Sequence, residues 1–219
     1  MVATKRKIST AERRSAERET RRLARSHYEN FLVASVLLPR RLRQPFYNVY
    51  AFCRIADDLA DESGSTTAAL ALLSEFQSHL DQTFQGEPPN PTFIALSGTI
   101  DEFDLPKQPF DDLLDAFRQD QHKFRYADFQ EISEYCRRSA NPVGRLVLQL
   151  ADCCTPENAN LSDEICTGLQ LANFWQDIAR DYGIGRIYLP AEEMDRFGVE
   201  ESMLGRSYTP PELRRLLAS

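Results

Sequence analysis

Asn173-Phe174-Trp175-Gln176-Asp177-Ile178-Ala179-Arg180-Asp181 places an oxygen-bearing side chain at every fourth residue, and Asp57-Asp58-Leu59-Ala60-Asp61 repeats the step earlier in the chain. Four-residue steps share a face only in a helix, so both stretches read as helical. Each face then carries carboxylates that repel one another, by roughly a few tenths of a kcal/mol per exposed pair and by more beside a cavity. A bound cation removes the repulsion. Arg54 lies three residues before Asp57 and shares its face, where its fork of donors suits phosphate oxygens, and Tyr50 extends that face by a turn.

Working outward, the apolar spacing predicts helices over residues 43–61, 67–83, 91–103, 110–123, 129–150 and 162–182, and the start of another after Pro210. Pro45 falls early in the first of these, where a missing N–H is tolerated, and Asn141-Pro142 should kink or break the fifth. Ser162 is the candidate N-cap of the sixth. Asp111, Asp112 and Asp115 sit near a predicted helix start and suit its dipole. Gly183-Ile184-Gly185 is a turn, not a dinucleotide fingerprint, because no strand precedes it and a third glycine is absent. With 9 Gly and with 12 Pro mostly between the apolar segments, the fold class is all-α.

The chain of 219 residues is long enough for a sizeable core, and 42% hydrophobic with 27% charged residues is ordinary for a globular protein. The net charge of −7 is unevenly spread: residues 1–25 hold nine Lys or Arg against three Glu, +6, which leaves −13 elsewhere. Such a segment suits anionic lipid head groups or nucleic acid, but it reads as a basic, solvated, disordered leader preceding one domain over 26–219. No nucleic-acid partner is expected, and a peripheral contact with the inner membrane is compatible with the charge. No apolar run reaches the length of a membrane-spanning helix, and five cysteines without paired spacing argue against a disulfide framework or a zinc site, so a reducing cytoplasm is expected.

Hard divalent cations such as Mg²⁺ take oxygen ligands and are shared between one or two carboxylates and substrate phosphates. Two facing acidic helices would therefore hold a diphosphate between them, and neutralising its departing charge makes it a leaving group. What remains is a carbocation, which aromatic faces stabilise without attacking it. Phe31, Tyr50, Phe52, Tyr135, Phe174 and Trp175 lie in the same segments, although each taken singly reads first as core.

Three stretches resemble the squalene/phytoene synthase family: Tyr50 through Asp61, Tyr135-Cys136 leading to Val143-Gly144, and Gln170 through Asp181 followed by Arg186-Ile187-Tyr188-Leu189-Pro190. The resemblance covers about residues 26–205. It implies an all-α isoprenoid synthase fold, a Mg²⁺ cofactor, and prenyl or presqualene diphosphate as substrate, with other enzymes of the same pathway as partners. Ser26-His27-Tyr28-Glu29-Asn30-Phe31, Ser139 through Arg145 and Asn173 through Asp177 look most like members that ionise presqualene diphosphate and let water capture the cation as hydroxysqualene.

Carried over residue by residue, the resemblance implies metal ligation by Asp57, Asp61, Asn173, Asp177 and Asp181, with Asp58 in an outer or alternate position. It assigns Arg54, Tyr135, Gln170, Arg186, Tyr188 and His27 to the substrate. Catalytic roles fall to Asp57, Asp61, Asp177, Asp181, Tyr50 and Asn141, the last orienting a water or bonding the kinked backbone. Family members normally continue for several tens of residues past this point, so C-terminal helices that complete the bundle are expected to be missing. Condensation of two prenyl diphosphates, a class I terpene cyclase and an inactive helical remnant are the alternatives.

Overall fold

The buried helix α2 (Arg40–Asp61) is the axis of the computed structural model, which describes residues 6–26 and 38–219. Its apolar residues Val49, Phe52, Ala56 and Ala60 recur at three- and four-residue steps and form one buried stripe. Around that stripe pack α3 (Thr66–Phe84), α4 (Pro91–Phe103), α5 (Gln108–Gln119) and α7 (Asn141–Leu150). The Phe52 ring lies 5.1 Å from Phe76 and meets Phe110 edge-on at 5.0 Å. These aromatic contacts fill the largest core. Side chains close the helix starts: Ser65 accepts from the Ala68 N–H, and Asn90 from the Phe93 N–H ahead of Pro91.

The basic leader is not a solvated tail over its described part. Residues Thr10–Ser26 form helix α1, started by a capping box in which the Ser9 hydroxyl accepts from the Glu12 N–H and the Glu12 carboxylate accepts from the Ser9 N–H at 2.9 Å. Its charge misled the sequence reading because the small residues Ala16, Thr20 and Ala24 are one stripe, buried against α2 and α4. Thr20 donates to Asn48 Oδ1 at 2.6 Å, Gln44 donates to the same oxygen at 2.9 Å, and Asn48 donates to the Ala95 carbonyl and to Thr99. Asn48 thus joins three helices in a fully connected buried network. Asn48→Ala should lower stability by about 2–3 kcal/mol, since it strands several buried polar groups at once. A loss under 1 kcal/mol in urea unfolding would show that water replaces the amide.

The second half keeps the predicted break in the fifth helix and moves both ends of the sixth. The fifth predicted helix is broken at Ala140 into α6 (Phe129–Ser139) and α7, as the proline requires. The sixth begins not at Ser162 but at α8 (Pro156–Gln176), where Thr155 accepts from the Asn158 N–H and Pro156 occupies the first turn. Ser162 instead faces α7, where a side chain on Gly144 would collide with it and with Cys166; this close helix crossing needs a glycine. Helix α8 stops at Asp177, and α9 (Ile178–Gly183) follows.

The last segment, α10 (Ala191–Phe197), a 3₁₀ turn (Glu201–Met203) and α11 (Pro211–Leu217), closes its own cluster around Ile187, Leu189, Met194 and Leu216. Among the described residues there are eleven α-helices and no strand. None is long and apolar enough to cross a membrane, and all five cysteines are free thiols.

Candidate active site

The C-terminal turns of α2 present Arg54, Asp57, Asp58 and Asp61 on a half-buried face, with Tyr50 a turn earlier. Arg54 is already committed: its guanidinium lies 3.3 Å from Asp57 and 2.6 Å from Asp58. Its Nε–H is buried without a hydrogen-bond partner. Asp58 is therefore Arg54's closer ion partner, while Asp57 meets Arg54 at 3.3 Å and also feels the charge of Asp61. Burial, then the charge of Asp61, pushes the Asp57 carboxyl above its ordinary range.

The second stripe survives the helix break at Asp177. The Asp177 N–H still bonds the Asn173 carbonyl at 2.9 Å, and the Asp181 N–H bonds the Asp177 carbonyl at 2.8 Å, so the four-residue register continues. Asn173 is exposed, and Asp177 and Asp181 are half-buried, with Gln170 a turn before. Burial, and next the charge of Asp177, raises Asp181.

Arg186 connects the two stripes. Its Nη2 lies 3.2 Å from Asp61 across 125 residues of sequence, and its charge also lowers Asp57 and Asp181. The backbone holds it there: the Arg186 N–H bonds the Asp181 carbonyl, the Ile187 N–H the Phe124 carbonyl, and the Ala191 N–H the Tyr126 carbonyl. Asp61 and Arg186 line a cavity of about 510 Å³ together with Gly64, Thr66, Asp120 and Phe124.

Behind Arg186 lies an aromatic quartet. Tyr188 stacks on Phe174 at 3.8 Å and lies 5.9 Å from Tyr135 and 5.7 Å from Tyr126. Tyr135, a predicted substrate contact, donates its hydroxyl to Asp120 at 2.8 Å, both groups being buried. Burial drives the Asp120 carboxyl up to about 7, against the lowering effects of the Tyr135 hydrogen bond and Arg186. Asp120 and Tyr126 escaped the sequence reading. A usable signal existed, since Asp120 ends α5 and an acid at a helix C-terminus opposes the dipole. Extending that helix to Lys123 concealed it.

Two expectations fail on geometry, those for Asn141 and Trp175, while Phe52 is in the core as an aromatic taken singly is first read. Asn141 is buried at 5% exposure, and its Oδ1 accepts from Thr167 at 3.0 Å; it fastens α7 to α8 and is not open to a water in the cavity. Trp175 points away from the quartet into a separate apolar groove with Phe129, Leu189 and Leu216. His27 and Phe31 lie outside the described residues.

Among the described residues, no group of three or more His, Cys, Asp or Glu side chains converges as a preformed metal site. The donors fit Mg²⁺ in another way. They are hard oxygens in two separate sets, and Asp57 and Asp181 resist ionisation as groups in want of a cation do.

The fold is that of the helical isoprenoid synthases. The squalene synthase HpnC of Alicyclobacillus acidocaldarius superposes with a TM-score of 0.89 at 44% identity, over 96% of this chain and 79% of that one. The squalene/phytoene synthase family model matches residues 24–219, and the chain belongs to that family. Two relatives are hydroxysqualene synthases. That of Zymomonas mobilis is 37% identical over 86% of this chain, and that of Rhodopseudomonas palustris is 38% identical over a like share. The chain spans 64% of the length of each.

Proposed function

We propose that this chain belongs to an enzyme that ionises presqualene diphosphate and adds water to the resulting cation, giving hydroxysqualene. The observation that supports the reading is Arg186, whose side chain meets Asp61 of the first stripe beside a cavity and whose N–H bonds the Asp181 carbonyl of the second. Asp57 and Asp61 on one side, and Asn173, Asp177 and Asp181 on the other, would hold Mg²⁺. Bound there, the ion offsets the negative charge that collects on departing diphosphate.

The chain's own groups do the rest. Arg186 is placed to hold the diphosphate and to keep its negative charge beside the clamp. The packed aromatic group of Tyr126, Tyr135, Phe174 and Tyr188 behind Arg186 would form an apolar backing that excludes bulk water from the cation. When water adds, a proton is released, and the Asp120 carboxylate behind the Tyr135 hydroxyl is half ionised near neutrality and able to take it. The identities of 37% and 38% to hydroxysqualene synthases, against 31% to the phytoene synthase of Arthrospira platensis, favour water capture over condensation.

Incubation with presqualene diphosphate and Mg²⁺ should give hydroxysqualene and pyrophosphate by mass spectrometry. Conversion only of farnesyl diphosphate, to presqualene diphosphate or squalene, would replace this reading with a condensing one. Mg²⁺ and an unreactive diphosphate analogue together, at about a hundred times the dissociation constant, should stabilise the fold by about 2.7 kcal/mol, a rise of roughly 5–10 °C. Neither alone should do so, and no shift with both would remove the clamp.

A further inference from the structure

Helix α1 carries a second, unused charge pattern on the side opposite its buried stripe. At about 100° per residue, Arg14, Arg18, Arg21, Arg22 and Arg25 fall within one arc about 100° wide, facing away from Ala16, Thr20 and Ala24. No Asp or Glu lies inside that arc, since Glu12, Glu17 and Glu19 flank it. The antiparallel contacts Thr20–Asn48 and Arg21–Gln44 set the exposed Arg40 and Arg41, at the start of α2, at the same end of the bundle as Arg25.

These cations are not spent inside the protein. Arg125, Arg137, Arg145 and Arg196 each pair with a carboxylate. Among the described residues, Arg14, Arg18, Arg22, Arg25, Arg40 and Arg41 have no ion pair or hydrogen bond from their side chains, although the chain beyond residue 25 has a net charge of −13. Six unpaired arginines, four along the outer face of α1 and two at the start of α2, raise the local potential, and an external anion lowers it.

We infer that the arginine face of α1, with Arg40 and Arg41, docks the protein onto an anionic phospholipid surface. The face is the outer side of a single helix, convex and without an aromatic residue to stack on bases, which favours a lipid surface over nucleic acid. The net charge of −13 beyond residue 25 favours approach by this basic face. Some 16–20 helical residues separate Arg41 from Asp57 and Asp61, about 25–30 Å along α2. The prenyl chains on which this family acts partition into the same bilayer. The inference rests on the charge pattern and holds whichever family reaction the chain performs.

The test is co-sedimentation of the purified protein with vesicles of phosphatidylcholine alone or with 30% (about one third) phosphatidylglycerol, a composition chosen to give a strong surface potential. Binding is expected only to the anionic vesicles at about 0.1 M NaCl, falling at least tenfold at about 0.5 M. R14Q/R18Q/R22Q/R25Q should weaken binding by at least fiftyfold, at roughly fivefold per arginine. R137Q/R196Q/R206Q/R214Q, equal in charge lost, should change it less than threefold. Circular dichroism checks that both variants are folded, and the salt arm needs neither. No anionic binding by the parent, equal losses in the two variants, or tighter binding of a DNA duplex than of vesicles at the same salt would each overturn the inference.

Discussion

Asp61→Asn should lower turnover of presqualene diphosphate by about 10²–10³-fold, equivalent to about 3–4 kcal/mol of barrier. Asp61 is the first stripe's contact with Arg186, and its charge also reaches Asp57 on its own helix. The amide keeps the shape and a hydrogen-bond acceptor but removes the charge that a cation would bridge to diphosphate. Asp177→Asn should behave alike from the other side. Asp58→Asn is the informative contrast. Asp58 is the 2.6 Å partner of Arg54 and not one of the four-residue pair Asp57 and Asp61, so its loss should cost about tenfold or less, by releasing Arg54. Steady-state kinetics at saturating Mg²⁺ separate the three. Turnover by Asp61→Asn or Asp177→Asn within about threefold of the parent would mean that the stripes do not hold the metal.

Asp120→Asn should raise the melting temperature at pH 8 by roughly 5–10 °C and leave it nearly unchanged at pH 4, a pH-dependent gain of up to about 4 kcal/mol. Burial lifts the folded-state carboxyl from 3.8 to about 7. For a raised acid, the native state holds the proton more tightly than the unfolded chain. The associated stability is therefore present in full below the unfolded value and lost as pH rises through the folded one, over a window from about 4 to 7. Asparagine carries no charge to bury at high pH and still accepts from Tyr135. Melting curves at the two pH values decide the matter, because equal differences at both would show that Asp120 is not a strained carboxylate. If Asp120 also takes the proton of the adding water, the variant loses the acidic limb of the rate profile.

Most of the site was legible because helical spacing converts sequence into direction. Asp57, Asp61, Asp177 and Asp181 stand on the faces that their four-residue steps dictate, and Asn141-Pro142 marks a real break. Arg54 was read as a phosphate donor although its partners are local, and the pairing with Asp57 and Asp58, three and four residues on, was overlooked. Legibility failed where partners are distant in sequence. Asn141 was read as orienting a water or bonding the kinked backbone, and only the crossing of α7 with α8 delivers Thr167 to its oxygen. The leader was read by its charge, while Ser9, Glu12 and the stripe of Ala16, Thr20 and Ala24 already encoded a docked helix.

By itself the sequence determined the helices, their two acidic faces and the family, since these depend on local periodicity and on motifs a few residues long. Tertiary structure alone decided which charges are partners. It set Arg186 against Asp61 over 125 residues of chain and buried Asp120 under Tyr135. It also turned an arginine-rich leader outward on a packed helix. The physical reason is that Coulomb energies and desolvation depend on distance and surroundings in space, which the order of residues along the chain does not contain.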